Sequence, residues 1–264
     1  MRADAHQLNR FYASPLGQAA ARSIETGLSR VWRTHPNERL IGIGYTLPWL
    51  KTLGVNAERV LAFMPTEQGA RHWPKDGPAR VAIIDEEELP LADASIDRIL
   101  AVHLLEHSEQ PIETLREIHR VLAANGRVVI VAPHRRGVWA RFEATPFGTG
   151  RPWSRGQLET AMETAGFRVS DVNDALLFPP IAVGWLAPMR APADWIGRKV
   201  FSAFSGAIIA VGAKGEATGV PSEARLRRRP VATPQLVPQT GVPARADSHR
   251  EVAETARSQC DQTL

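Results

Sequence analysis

Cysteine is nearly missing from this chain: Cys260 is the only one in 264 residues. One thiol forms no internal disulfide and builds no cysteine-based metal site. Long apolar runs are missing as well. The longest late in the chain, Phe201 to Ala213, is too short to span a bilayer. The first ten residues, MRADAHQLNR, lack the apolar core of a signal peptide. There is no strong charge bias either. With 32 basic and 28 acidic residues the formal net charge is +4, too balanced to imply a nucleic-acid partner. Residues 216–264 have no Phe, Trp or Tyr and carry prolines at 221, 230, 234, 238 and 243. Such a segment buries too little apolar surface to offset chain entropy and reads as a disordered tail. Its cluster Arg225, Arg227, Arg228 and Arg229 reads as solvated. These absences predict a cytoplasmic protein without a transmembrane segment, a nucleic-acid partner or a metal. A composition 44% hydrophobic and 23% charged is that of a soluble globular protein.

What is present is organised around Leu91–His134. Ile96, Ile99, Leu100, Val102, Leu104 and Leu105 form a short apolar run, as expected of a strand buried on both faces. Ser108 stands where a helix cap would stand, with Pro111 in the first turn. Ile112, Leu115, Ile118 and Leu122 recur at helical spacing. Asn125-Gly126 is the expected helix stop, and Val128–Ala132 a second buried strand. Strand, crossover helix and strand make a βαβ unit, which predicts a parallel sheet with ligands at the carboxyl ends of its strands.

The flanking segments extend that sheet. Residues 11–33 read as a helix entered at Ser14-Pro15, packed on the sheet or over the mouth of a site. Residues 39–45 read as a strand running into Gly42 and Gly44, with Thr46 capping the next helix. The glycines either make room for a ligand beside the backbone or simply form a tight strand-to-helix turn. Residues 59–65 are the next strand. Glu67, just beyond it, is either an acid for ribose hydroxyls or a solvated loop residue. Residues 79–85 are a strand ending in Asp85, followed by Glu86, Glu87 and Glu88. Beyond His134 comes a polar-aromatic loop, then a helix capped by Ser154, a strand over 167–178 and a last strand over 204–213. Residues 181–200, with Trp185 and Trp195 among Arg190, Arg198 and Lys199, read as an amphipathic cover. That cover either packs on the core or serves as a substrate lid or a weak membrane-surface contact.

Several segments together carry a resemblance. Asp85–Leu91, Ala94–Asp97, Leu104–His107, Glu117–Leu122 and Gly126–Val128 are similar to the signature of class I S-adenosylmethionine-dependent methyltransferases of the type 11 methyltransferase domain family. The likeness is specific over residues 38–170. It implies an α/β fold: a doubly wound, mostly parallel seven-stranded sheet of Rossmann-like type. Residues 1–215 would form the methyltransferase domain, with 171–215 as cover and last strands. The implied cofactor is S-adenosylmethionine. Carried over by position, Gly42 and Gly44 match the cofactor-loop glycines and Asp85 the acid that accepts from the adenine amino group. Glu67 stands for the ribose acid, His103 for the position facing the methionine end, and Tyr45 and Glu86 lie beside them. The chain departs from the pattern at Leu40, at Thr46 and at Phe63-Met64-Pro65, where the family has an acid, a third glycine and an acid.

A sulfonium already carries an activated methyl group, so such a site mainly aligns the acceptor and excludes water. A base is needed only for a hydroxyl or an acidic carbon, and His103 is the candidate. His107 and His134 are more readily hydrogen-bonded structural residues. His103 and His107 are four apart but leave a strand, so a zinc site is not expected. The expected acceptor is a small molecule, with Trp139, Phe142, Phe147, Trp153 and Trp185 as apolar lining. The alternative is a binding or regulatory relative that keeps the fold without catalysis. A nicotinamide oxidoreductase is disfavoured by the missing third glycine, and RNA or protein methylation has only the arginine cluster in its favour.

Overall fold

The computed structural model describes residues 2–32, 35–180 and 205–214. The expectations for residues 181–200 and for the tail lie outside the described residues. Seven strands form one sheet in the order β3-β2-β1-β4-β5-β7-β6. They are β1 (Arg39–Gly44), β2 (Arg59–Pro65), β3 (Val81–Ile84), β4 (Ile96–Val102), β5 (Leu122–Pro133), β6 (Phe167–Ala175) and β7 (Ala207–Lys214). β1 pairs in parallel with both β2 and β4. β7 runs antiparallel to β5 and to β6, so it is the one reversed strand. The expected doubly wound, mostly parallel α/β sheet is therefore present. The chain winds outward from β1 through β2 to β3, then returns to β4 on the other side of β1. That reversal opens a crevice at the carboxyl ends of β1 and β4, where open α/β sheets hold ligands.

Two apolar layers sandwich the sheet. On one face α1 (Ala5–Ala13), α2 (Pro15–Val31) and α3 (Leu47–Leu53) pack Leu8, Ile24, Leu28, Trp49 and Leu50 against Leu100, Val102, Val129 and Ile209. On the other, α4 (Pro111–Val121) and α5 (Arg155–Thr164) pack Leu115, Ile118, Leu158 and Met162 against Ile41, Ile99, Ile130 and Ile208. Burial on both faces is why the central strands read as unbroken apolar runs.

Two local expectations are corrected, at Ser108 and at Asn125-Gly126. The helix expected to enter at Ser14-Pro15 is α2, and α1 precedes it, with Ser14 extended between them. Its hydroxyl donates to the Phe11 carbonyl at 2.6 Å and accepts from the Gly17 amide at 3.1 Å. A side chain at Gly17 would lie 1.9 Å from the Phe11 oxygen, so glycine is what lets the two helices cross. Ser108 does not cap α4: Gln110 holds that position, and the Ser108 hydroxyl pairs with Thr114 at 2.9 Å. Nor does Asn125-Gly126 end the helix. Leu122 is already extended and pairs with Ile96, and the next register pair is Arg98 with Arg127. Residues 123–126 therefore bulge opposite Asp97.

Arg120 explains much of the signature over residues 85–122. Its guanidinium donates to Glu117, to Asp93 at 2.7 Å, and to the Leu91 and Leu89 carbonyls at 2.8 and 3.0 Å. Glu117 in turn accepts from the Leu89 amide at 3.1 Å. The Leu89-Pro90-Leu91 turn and the α4 residues Glu117 and Arg120 are thus one hydrogen-bonded unit that fixes the loop between β3 and β4.

Candidate functional site

The site is assembled where α1 crosses the carboxyl edge of the sheet. β1 ends at Gly44, whose φ of +81° is a left-handed conformation that favours glycine. The turn carries the Tyr45 amide to the Val102 carbonyl at 2.8 Å, which ties the end of β1 to the end of β4. Gly42 is buried against α3, where an added side chain would stand 2.0 Å from the Thr46 hydroxyl. The space beside Gly42 is thus taken by Thr46 and Leu50. Thr46 occupies the cap position of α3 but makes no capping bond, contrary to its expected role, and its Oγ1 is buried without a partner.

Just past β4 stands His103, a non-glycine residue at φ +53°. Such a backbone costs roughly 1–2 kcal/mol and persists only where its surroundings hold it. Here they do. Nδ1 of His103 lies 2.9 Å from Glu106 Oε1, and Nε2 lies 2.7 Å from the Tyr12 hydroxyl. All three side chains are buried. Tyr12 comes from α1, where it follows Leu8 by four residues and shares its buried face. It stacks on Tyr45 with centroids 5.7 Å apart and meets Trp49 edge-on at 5.3 Å. Phe147 closes the far side of His103 at 4.9 Å, backed by Trp139. Burial, the Tyr45 ring and the Glu106 charge push the Tyr12 phenol well above its ordinary range. Burial likewise pushes Tyr45 up, to about 12.

The acids of the sequence reading lie apart from this cluster. Glu67 is exposed on a short 3-10 turn over Thr66–Gln68, whereas its neighbour Gln68 is buried. Gln68 donates from Nε2 to the His103 carbonyl at 3.3 Å, and its Oε1 has no partner. Asp85 is exposed just past β3, accepting from the Glu87 amide at 2.9 Å. Glu86 is half-buried and salt-bridged to Arg2, whose own side chain is buried with Nε unpartnered. The N-terminal segment thus meets the sheet edge at two points, Glu86 beyond β3 and His103 beyond β4. Glu106 Oε2 is a further buried oxygen without a partner.

Tyr12, Gln68, Glu106 and Arg2 were not singled out by the sequence reading. Glu106 was visible inside the Leu104–His107 signature. Tyr12 is one of only two tyrosines and falls at helical spacing from Leu8. Gln68 had no signal beyond its place after β2. Of the other candidates, Trp139 and Phe147 are buried beside His103, while Phe142 and Trp153 are half-buried and Trp185 lies outside the described residues. His134 is held at Nδ1 by the Ser205 hydroxyl at 2.8 Å, which donates onward to Asp174.

Burial holds His107, His119 and His134 below the ordinary imidazole range, against the opposing pull of Glu106 on His107 and of hydrogen bonds at Gly166 and Ser205. The folded protein therefore binds fewer protons than the unfolded chain near pH 6. The stability these groups contribute is complete above the unfolded value of about 6.5 and is lost as pH falls through their folded values. Thermal midpoints measured from pH 7.5 down to pH 5 are expected to drop steadily, and a flat profile would contradict this.

Comparison with known proteins agrees with this fold. Residues 41–130 match the methyltransferase domain family. A methyltransferase from Haloferax volcanii, solved with its Trm112 activator, superposes with a TM-score of 0.59 at 16% identity, covering 81% of this chain and 99% of that one. A Thermotoga maritima protein described as an S-adenosylmethionine-dependent methyltransferase, possibly acting on histamine, gives 0.56 at 20% identity over 78% and 94% of the two chains. The [4+2]-cyclase SpnF gives 0.52 at 23% identity over 75% and 82%. No curated protein matches the chain. The fold built around residues 41–130, from β1 through most of β5, is that of solved S-adenosylmethionine-dependent methyltransferases.

Proposed function

We propose that the chain transfers a methyl group from S-adenosylmethionine to a small-molecule acceptor in the cytoplasm. The family's cofactor is S-adenosylmethionine, which supplies an activated methyl group on a sulfonium. Its ribose hydroxyls, adenine amino group and ammonium are all hydrogen-bond donors. The observation that carries the reading is a set of buried oxygens without partners at the carboxyl edge: Thr46 Oγ1, Gln68 Oε1 and Glu106 Oε2. Buried polar atoms are rarely left unsatisfied, and Gln68 and Glu106, both hydrogen-bonded to His103, offer such acceptors to a ligand rich in donors. The residues present therefore fit the cofactor. Gln68, rather than the exposed Glu67, is assigned to the ribose, and Glu106 adds a buried carboxyl to a site for a cation. Asp85 and Glu86 remain assigned to the adenine side, with Gly44 and Tyr45 shaping the floor.

The chain's own contribution to the reaction is placement. Tyr12 and Phe147 pack on His103, and Phe11, Tyr45 and Trp49 pack behind them, an arrangement suited to excluding water from the reacting atoms. An aromatic enclosure of this kind suits a small acceptor with an apolar body. Among the described residues no helix is long and apolar enough to cross a membrane. Gln68→Ala is expected to raise the cofactor Kd about tenfold, the equivalent of one net hydrogen bond of ~1.4 kcal/mol, whereas Glu67→Ala should leave it unchanged. The acceptor class is tested by incubating the chain with methyl-labelled S-adenosylmethionine and a small-molecule extract. Label is expected in a low-mass product. Label confined to protein or RNA would refute the small-molecule reading.

A further inference from the structure

Tyr12, His103 and Glu106 make a hydrogen-bonded chain whose direction is fixed at one end. A carboxylate only accepts, so the 2.9 Å contact places the imidazole proton on Nδ1, donated to Glu106 Oε1. Nε2 then carries a lone pair and accepts the Tyr12 hydroxyl proton across 2.7 Å. Tyr12 Oη is left with free acceptor capacity of its own. The strained backbone at His103 holds the imidazole between the other two groups. The charged and titratable groups around the chain are Tyr45, stacked on Tyr12, and His107 and Arg2 beyond Glu106.

We propose that this chain is a proton-accepting relay for the methyl acceptor, and that the acceptor group is a hydroxyl, such as a phenol or enol, rather than an amine. The inference rests on the methyl-transfer reading above. A neutral amine brings its own lone pair to a methyl group and needs no base, whereas a hydroxyl must shed a proton as its oxygen attacks. The acceptor O–H donates to Tyr12 Oη. As the oxygen–methyl bond forms and the sulfur–methyl bond breaks, the sulfur keeps the bonding pair and becomes a neutral thioether. The acceptor proton passes to Tyr12 Oη while the Tyr12 proton passes to His103 Nε2. The products are a methyl ether, a neutral Tyr12 and an imidazolium beside the Glu106 carboxylate. Tyr12 touches the acceptor and is the catalytic residue; His103 and Glu106 act through it. The raised Tyr12 pKa agrees with a concerted hand-over, because no free phenolate stands in the resting protein.

The test uses 4-nitrophenol as the hydroxyl probe, with the full chain saturated with S-adenosylhomocysteine. In the wild type the bound probe is expected to show the phenolate band below its solution pKa, with a ¹⁵N spectrum reporting protonation of His103 Nε2. Tyr12→Phe, which keeps the ring packing, and Glu106→Gln, which keeps the carboxyl shape, should each cut the bound phenolate fraction at least tenfold while circular dichroism stays native. A merely structural chain of hydrogen bonds would not couple probe ionisation to Glu106. A probe bound as the neutral phenol, a probe that fails to bind, or a phenolate fraction unchanged in both variants would overturn the proposal. Failure of S-adenosylhomocysteine to bind would instead refute the methyl-transfer reading. The relay is then still read from the ligand-free His103 tautomer, which should have its proton on Nδ1.

Discussion

Gly44→Ala is expected to lower stability by about 2–5 kcal/mol and to abolish binding of S-adenosylmethionine. Two costs combine at this position. A left-handed backbone at φ +81° charges a side-chain-bearing residue roughly 1–2 kcal/mol. An added Cβ would also lie 2.3 Å from the Val102 carbonyl and 3.3 Å from the Leu104 side chain. Both neighbours are backbone-anchored at the end of β4, so relief requires β1 and β4 to part, and overpacking of that kind costs about 1–3 kcal/mol. Parting them breaks the Tyr45–Val102 tie and displaces His103. Gly69 is the control. Its φ of +71° with ψ 174° also disfavours a side chain, but an added Cβ there meets nothing within 4 Å. Gly69→Ala should therefore cost only the backbone strain, about 1–3 kcal/mol, and leave cofactor binding intact. Urea denaturation and calorimetry on the two variants check both halves. Equal losses at the two positions would contradict the account.

Arg120→Ala is expected to cost about 2–4 kcal/mol, since it removes a guanidinium bonded to Glu117, Asp93 and two backbone carbonyls. Asp93 is mostly exposed and its ion pair contributes little. The weight falls on the Leu89 and Leu91 carbonyls and on Glu117, which is largely buried and bonded to the Leu89 amide. Arg120→Lys should recover only part of the loss, because one ammonium cannot reproduce the planar fork that meets several acceptors at once. Releasing the 85–95 loop also frees Asp85 and Glu86, so the cofactor affinity of Arg120→Ala should fall along with its stability. Full recovery in the lysine variant would show that charge alone, not the fork, holds the loop.

The strands were legible because each is buried on both faces and so writes an apolar run into the chain. β2 matches its expected bounds of 59–65, and β1 and β4 match within a few residues. Helix boundaries were less legible where one residue satisfies two patterns. Leu122 continues the apolar stripe of α4 and also begins β5, and the later Asn-Gly pair suggested a stop that the bulge uses instead. The start of α2 was legible, since Ser14-Pro15 is a cap followed by a proline in the first turn. The site was half legible. His103 follows from its place at a strand end. Its partners do not, because Tyr12 reaches it across 91 residues of sequence and Gln68 across 35. Glu67 looked more functional than Gln68 because it is charged. The turn after Pro65 decides otherwise, facing Glu67 to solvent and Gln68 to the crevice.

The central claim is that the carboxyl edge between β1 and β4 holds S-adenosylmethionine. Its most direct test is a calorimetric titration of S-adenosylmethionine into the full wild-type chain, repeated with Gln68→Ala and Gly44→Ala. The account predicts saturable binding of one equivalent by the wild type, about tenfold weaker binding by Gln68→Ala, and none by Gly44→Ala. No heat of binding in the wild type, or equal affinity in all three proteins, would contradict it.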